Sequence, residues 1–308
     1  MQTLTDLAVQ IGLFYIIIFI GYATARHSQQ GVVLNKHLNR WLINLLVPAL
    51  VIYTLITASP SAYTEAFLVV GLAVTIHLIA PLLMYVRLRF GEFDDSTKGV
   101  YYICSTFNNA LFIPLPFAMI FLGSSGISIV ILFSLTQMVL FVTLGSLMGA
   151  AYSQKDAGWG GILRNAVTFP PFIAAVIAIL LFSLRFELPA VLVAPLSLVG
   201  PVTTYLALIS VGLNLGLRFS LVDVKSALNV IGIRQIAVPI AVLPIVLLSG
   251  LSAVPASIVI LESLMPPAVL TVVYATSFGL DAEQAATIVT VGTLLLLPLI
   301  PFLPLLLS

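Results

Sequence analysis

Three groups of polar residues sit where apolar sequence surrounds them, and each has a chemistry open to it. Glu262 precedes Met265-Pro266-Pro267 inside the apolar run 253–278. Two adjacent prolines break a helix, because each lacks an N–H donor and the second forces the first out of the α region. A carboxylate beside such a break can take up a proton or ligate sodium, since hard cations prefer oxygen. Asn108-Asn109, followed by Pro114 and Pro116, forms the second group. Its amides and freed carbonyls can coordinate a cation, or orient a carboxylate against the half-helix that restarts near Phe117. They can also simply cap the broken helix. Arg234 is the third, about nine residues into the run 225–250, roughly 13 Å deep at helical rise. Glu262 lies at a similar depth from the opposite end. Arg234 therefore either neutralises an anionic substrate or forms a structural ion pair with Glu262, and the sequence leaves both open.

The remaining polar residues suggest structural duties. Asn39, Asn44, Gln137, Asn165 and Asn214 have the character of bonds between neighbouring helices. His77 stands among apolar residues with no second imidazole at ligand spacing. Asp94-Asp95-Ser96-Thr97 before Lys98 fits a helix N-cap better than a metal site. No Gly-x-Ser-x-Gly elbow, phosphate-cradling loop or His-Glu-x-x-His pattern occurs. The chain has no second acidic motif for intramembrane prenyl transfer and no mid-span lysine near its C-terminus for retinal. Neither a catalytic residue, a metal centre nor a cofactor is expected, so the chain does not look like an enzyme.

The elements that must hold these residues follow from composition. The sequence is 61% hydrophobic and 7% charged, with mean hydropathy +1.20. Soluble domains carry about a quarter charged residues, so this is a polytopic membrane protein. A net charge of +1 leaves no basic face for nucleic acid. The one cysteine, Cys104, excludes an internal disulfide. Windows of spanning length, about 20 residues, fall at 6–25, 38–58, 65–87, 98–122, 126–152, 164–184, 189–214, 225–250, 253–278 and 281–306. The longest polar connections are near 26–37, 88–97 and 153–163. Ala23-Thr24-Ala25 imitates a signal-peptidase site, but no Lys or Arg precedes the first run and Asp6 does, so a retained helix is expected.

Positive charge fixes an expected orientation. Arg26, Lys36, Arg40, Arg87, Arg89, Lys98, Lys155, Arg164, Arg218 and Lys225 fall on one side, and only Arg185 on the other. Both termini should face outside. Five windows in each half then make inverted repeats, 1–152 and 164–308, joined by a cytoplasmic linker 153–163. Prolines support the pairing: Pro48 in the second window answers Pro201 in the seventh, and the break at 108–116 answers that at 265–267.

Leu208-Ile-Ser-Val-Gly-Leu-Asn-Leu-Gly216, Met265-Pro266-Pro267-Ala268-Val269 and Phe278-Gly-Leu-Asp-Ala-Glu-Gln-Ala-Ala-Thr287 resemble the auxin efflux carrier family, which includes plant auxin exporters and bacterial permeases for small carboxylates. The resemblance implies ten helices in two inverted five-helix repeats. Helices 1, 2, 6 and 7 would form a scaffold, and 3, 4, 5, 8, 9 and 10 a transport domain whose broken helices 4 and 9 cross. It also implies a homodimer and elevator-like alternating access. Crossover roles pass to Asn109, Pro114 and Pro116 in one repeat and Met265, Pro266 and Pro267 in the other. The long loop of some plant exporters is missing. Glu262 is also similar to a glutamate of the sodium-coupled bile acid symporters, which have a related fold but carry amide residues where this chain has Pro266 and Pro267.

The expected protein is thus an all-α transporter in the cytoplasmic membrane, carrying a small organic anion. Asn108 and Asn109 would orient the substrate, and Glu262 would couple transport to Na+ or H+. A sodium-coupled symporter of the bile acid type, or a non-transporting receptor, are the alternatives.

Overall fold

The computed structural model describes residues 4–28, 30–57, 65–153, 168, 170–184, 186, 189–217 and 224–303. The predicted linker beyond Ser153, with Lys155 and Arg164, lies outside the described residues, as do Asn165, Arg185 and Arg218.

The described residues form helices in the following order: α1 (Leu4–His27), α2 (Gly31–Trp41), α3 (Val47–Thr57), α4 (Ala66–Leu88), α5 (Asp95–Thr106), α6 (Pro114–Phe121), α7 (Gly123–Leu140), α8 (Ser146–Tyr152), α9 (Pro170–Ser183), α10 (Ala190–Ser197), α11 (Val199–Leu217), α12 (Val224–Ile231), α13 (Val238–Leu248), α14 (Ala253–Leu264), α15 (Leu270–Phe278) and α16 (Ala282–Leu296). Among them, five continuous stretches are long and apolar enough to cross a membrane: Ala66–Leu88, Ser125–Tyr152, Val191–Gly216, Val224–Leu248 and Ala282–Phe302. Large apolar side chains cover the outside, with Phe67 90% and Leu248 87% exposed, while His77, Asn108, Gln137, Arg234 and Glu262 are buried. That inversion of the soluble pattern suits a protein whose surroundings are lipid.

Two predicted breaks open into extended backbone and two do not. The runs 98–122 and 253–278 divide into α5 with α6 and α14 with α15. Pro48 instead sits at the second residue of α3, directly after a π turn at Leu42–Leu46. The widened turn makes room for a ring that would otherwise strike the carbonyl one turn earlier. Pro239 follows the π turn Gly232–Ala237 in the same way. Pro201 falls in the first turn of α11, where no N–H is needed. The polar stretch 26–37 is also not a loop: α2 begins at Gly31, so Lys36 and Arg40 are helical.

α1 packs along α11, and α3 along α9. The first contact is set by glycine: a Cβ on Gly212 would lie 1.9 Å from Ile18 O, and one on Gly21 would lie 2.2 Å from Ile209 O. Backbones this close gain dispersion and leave no room for a methyl group.

Contacts between helix ends fall into two sets. At one end Glu65 accepts hydrogen bonds from the Ser252 N–H and hydroxyl, the latter at 2.9 Å. At the other, Arg87 donates to Asn229 Oδ1 (2.8 Å), the Asp281 N–H to Ser96 Oγ (2.9 Å) and Ser153 Oγ to Phe278 O (2.7 Å). The acidic pair at 94–95 caps as expected. Asp94 accepts from the Thr97 N–H at 3.0 Å, and Lys98 pairs with Asp95.

Two measurements check these readings. Gly212→Ala should destabilise the detergent-solubilised protein by about 1–3 kcal/mol through overpacking. Gly71→Ala, whose new methyl meets nothing within 4 Å, should be neutral or slightly stabilising in the same thermal melt. The hydrogen bonds from Thr97 hold the Asp94 carboxyl below its ordinary value of 3.8. Its capping is therefore complete above that ordinary range and is lost as pH falls through the lowered value. Asp94→Ala should cost about 1 kcal/mol at neutral pH and nothing further once acid has protonated the wild-type cap.

Candidate functional site

The two breaks meet. Phe107 leaves α5 in an extended conformation (φ −107°, ψ 117°), and Met265 leaves α14 likewise (φ −66°, ψ 145°), as a residue before proline must. Asn108 and Pro267 then face each other as one antiparallel rung. The Asn109 N–H donates to Pro266 O at 2.8 Å, and the Ala268 N–H to Phe107 O at 2.9 Å. Backbone groups released by one break are satisfied by the other. Pro266 and Pro267 have no N–H to leave unpaired, so this strand needs only one donor. Pro114 and Pro116 occupy the first turn of α6, where proline is pre-set for a helix start. On the α5–α6 side the crossing itself is made by Phe107–Asn109, several residues before those prolines.

Side chains brace the rung. Asn108 Nδ2 donates to Glu262 Oε2 at 2.7 Å, and Gln137 Nε2 donates to Asn108 O at 2.7 Å. Gln137 Oε1 lies 2.8 Å from His77 Nε2, and His77 Nδ1 lies 2.6 Å from Ala73 O. Asn109 Oδ1 accepts the Phe112 N–H at 3.0 Å, so it does cap the turn into α6. Arg234, turned inward by the π turn, donates from Nη2 to Glu262 O (2.9 Å) and from Nε to Met265 O (3.4 Å). Its partners are backbone carbonyls at the end of α14, and the described residues hold a single ion pair, Lys98 with Asp95. Asn108 Oδ1, Glu262 Oε1, Gln235 Oε1 and Arg234 Nη1 are buried without a protein partner.

A cavity of about 470 Å³ lies against the rung. Asn108, Asn109 and Gln137 line it, with Leu111 and Phe112 from the approach to α6 and Ala268, Val269 and Leu270 at the start of α15. Its far wall is α2 and α3, with Asn35, Lys36, Asn39, Val47 and Val51, and Asn214 closes one corner. Asn39 Nδ2 donates to Asn35 Oδ1 (2.7 Å), Ser210 Oγ to Asn39 Oδ1 (2.8 Å) and Asn35 Nδ2 to Asn214 Oδ1 (3.1 Å). Asn39 and Asn214 thus tie α2 to α11, as expected, while also facing the cavity.

Of the residues singled out in the sequence, Asn108 and Asn109 line this space, and so do Asn39, Gln137 and Asn214. Met265, Pro266 and Pro267 build the crossing from behind, Pro114 and Pro116 start α6 several residues beyond it, and Arg234 and Glu262 lie buried beside it without lining the cavity. Sequence reasoning missed Asn35 and Lys36, because α2 was read as a loop. The i, i+4 spacing of Asn35 and Asn39 just before an apolar run is the signal that a helix face continues there. Gln137 and His77 were missed as partners of the crossing, since nothing in their local sequence points at residue 108.

Arg234→Ala should cost about 3–5 kcal/mol of stability, because it strips the donor from two buried carbonyls and leaves Glu262 without a neighbouring cation. An Arg234→Glu/Glu262→Arg double variant should remain as unstable as the single variants in thermal melts, because the guanidinium's partners are backbone atoms that a swap does not restore.

Comparison with known proteins points to membrane transporters. The family model described as "Membrane transport protein" matches residues 9–157 and 160–304. The chain is similar to an uncharacterized transporter of Methanothermobacter thermautotrophicus, 25% identical over 294 residues and 93% of each chain. It is similar to an uncharacterized transporter of Methanocaldococcus jannaschii, 24% identical over 90% of this chain and 91% of that one. A probable auxin efflux carrier component of Oryza sativa is 22% identical over 143 residues, 46% of this chain and 24% of the rice protein. The chain belongs to the membrane transport protein family, of the auxin efflux carrier type.

Proposed function

We propose that this protein carries a small organic anion across the cytoplasmic membrane by elevator-type alternating access. The observation that carries the reading is the cavity at the crossing, faced by Asn108 and Asn109, by Leu111 and Phe112 on the approach to α6, and by the start of α15. Helix N-termini present unpaired N–H groups and the positive end of a dipole, which suits a carboxylate. Apolar walls at Val47, Val51, Leu135, Phe141 and Val273 suit a substrate whose remainder is hydrocarbon or aromatic. Lys36, exposed on the α2 wall of the cavity, adds positive charge there.

The architecture in this reading is ten spans in two inverted five-helix repeats with both termini outside. α1, α2 with α3, α9, and α10 with α11 are the scaffold, and the remaining helices move. The close α1–α11 and α3–α9 packing supports the scaffold, and the sorting of end contacts into two sets supports the loop assignment. The reading includes a homodimer. Glu262 is the first candidate for ion coupling, because a buried carboxylate touching Asn108 links any bound cation to the cavity. Sodium coupling is a second reading, favoured by the buried, unpartnered oxygens of Glu262, Asn108 and Gln235.

Purified protein should gain thermal stability from some of a panel of monocarboxylates, dicarboxylates and indole acids, by mass action. In proteoliposomes the stabilising acid should move across the bilayer, and Glu262→Gln should change either its rate or its ion dependence. Unchanged rate and ion dependence would remove Glu262 from the mechanism. Binding with no flux across sealed vesicles would favour a receptor.

A further inference from the structure

The file of hydrogen bonds from α4 to the rung has fixed polarity at both ends. Backbone carbonyls only accept. Ala73 O is 2.6 Å from His77 Nδ1, so Nδ1 carries a hydrogen. Asn108 O is 2.7 Å from Gln137 Nε2, so that amide must present its NH2 there and its oxygen to the ring. Gln137 Oε1 is then an acceptor 2.8 Å from His77 Nε2, which needs a hydrogen as well. Turning the amide over only moves the clash, setting Oε1 against Asn108 O. With a neutral imidazole the file is one proton short, and with an imidazolium every contact joins a donor to an acceptor.

We infer that His77 binds the coupling proton, with Glu262 joined to it through Asn108 and Gln137, and that the coupling ion is H+ travelling with the substrate anion. The inference rests on the organic-anion reading for its second half. The charges around the ring support the stoichiometry. Of the elements packed on α4, the π turn brings Arg234 and α14 brings Glu262, the guanidinium bonding the Glu262 backbone carbonyl and not its carboxyl. α5 brings Tyr101 and Cys104 to the interior and pairs its Lys98 with its Asp95 at the exposed end, while α7 and α13 carry no titratable group. A proton on His77 adds one positive charge to this group, and a monoanion in the cavity neutralises it. Communication runs through Gln137 and Asn108, both of which line the cavity while His77 does not. The step is simple in balance: a proton from one aqueous phase adds to the Nε2 lone pair and later leaves to the other phase. Nδ1–H stays on Ala73 O throughout. Loss of the Nε2 proton leaves Gln137 with an acceptor against a lone pair, so the brace on Asn108 loosens when the proton departs.

The test uses the full chain with His27 and His37, both exposed, replaced by Gln, leaving His77 as the sole histidine. Nitrogen-15 spectra of the labelled ring in lipid nanodiscs are recorded from about pH 5 to about pH 8, the histidine range. Two protonated nitrogens at the acid end, with one becoming bare as pH rises, are expected. One bare nitrogen throughout the window overturns the proposal. In parallel, the apparent affinity of the stabilising carboxylate should weaken about tenfold per pH unit above the ring's titration, as reciprocal linkage of one proton to one anion requires. His77→Gln should abolish that slope. A doubly protonated ring in a protein that moves no organic anion would sink the anion reading and keep the proton site. A bare ring with anion flux intact would sink the proton site alone. Affinity that follows sodium and ignores pH would also overturn it.

Discussion

A hydrocarbon interior offers no water to a broken helix, and the single rung between Asn108 and Pro267 is this protein's answer. An unpaired amide or carbonyl at that depth costs several kcal/mol. Two breaks placed back to back cancel much of that cost, and only in one register. The donors are Asn109 and Ala268, the acceptors Pro266 O and Phe107 O. A shift of one residue would present a proline nitrogen where a donor is required. The register in turn decides where α6 and α15 restart, and so which N–H groups face the cavity. The site's geometry descends from a backbone constraint before any side chain is considered.

Side chains then deal with what the rung leaves over. The end of α14 still has open carbonyls, and Arg234 answers two of them at Glu262 and Met265. A guanidinium is suited to this, since its donors fan out in a rigid plane and it is more weakly hydrated than an ammonium. Placing the positive charge there also steadies the Glu262 carboxylate without a direct ion pair. That carboxylate keeps one oxygen on Asn108 and one free. Arg234 and Glu262 thus share a cap at the end of a half-helix, an arrangement intermediate between the salt bridge and the substrate clamp that the sequence left open.

The sequence made the backbone features legible and hid the lateral ones. Prolines act through their own geometry, so Pro266-Pro267 and Pro114 with Pro116 announce helix breaks wherever they fall. Yet Pro48 sits in a continuous helix and Pro201 follows only a one-residue turn at Leu198, because a π turn or a helix start can absorb the ring, and nothing local distinguishes the cases. Window lengths followed hydropathy closely, as with 65–87 against Ala66–Leu88. α2 escaped because Asn35, Lys36 and Asn39 are polar for a reason hydropathy cannot see: they face a cavity and one another. The pairing of His77 with Gln137, 60 residues away, is a product of tertiary packing alone. Asn108 stood out in sequence, but its partners did not.

The same contrast separates rigid from yielding parts of the molecule. α1 and α11 meet through glycines with no space between their backbones, and two such helices cannot slide without a clash at Ile18 or Ile209. Across the cavity, α2 and α3 face the crossing with about 470 Å³ between them, and the polar groups on that side bond mainly to one another. Few direct bonds would have to break for the rung and its cavity wall to move relative to α2 and α3. The alternating access proposed above needs one group locked and another free to shift. Glycine packing supplies the first, and a seam lined with self-satisfied amides supplies the second.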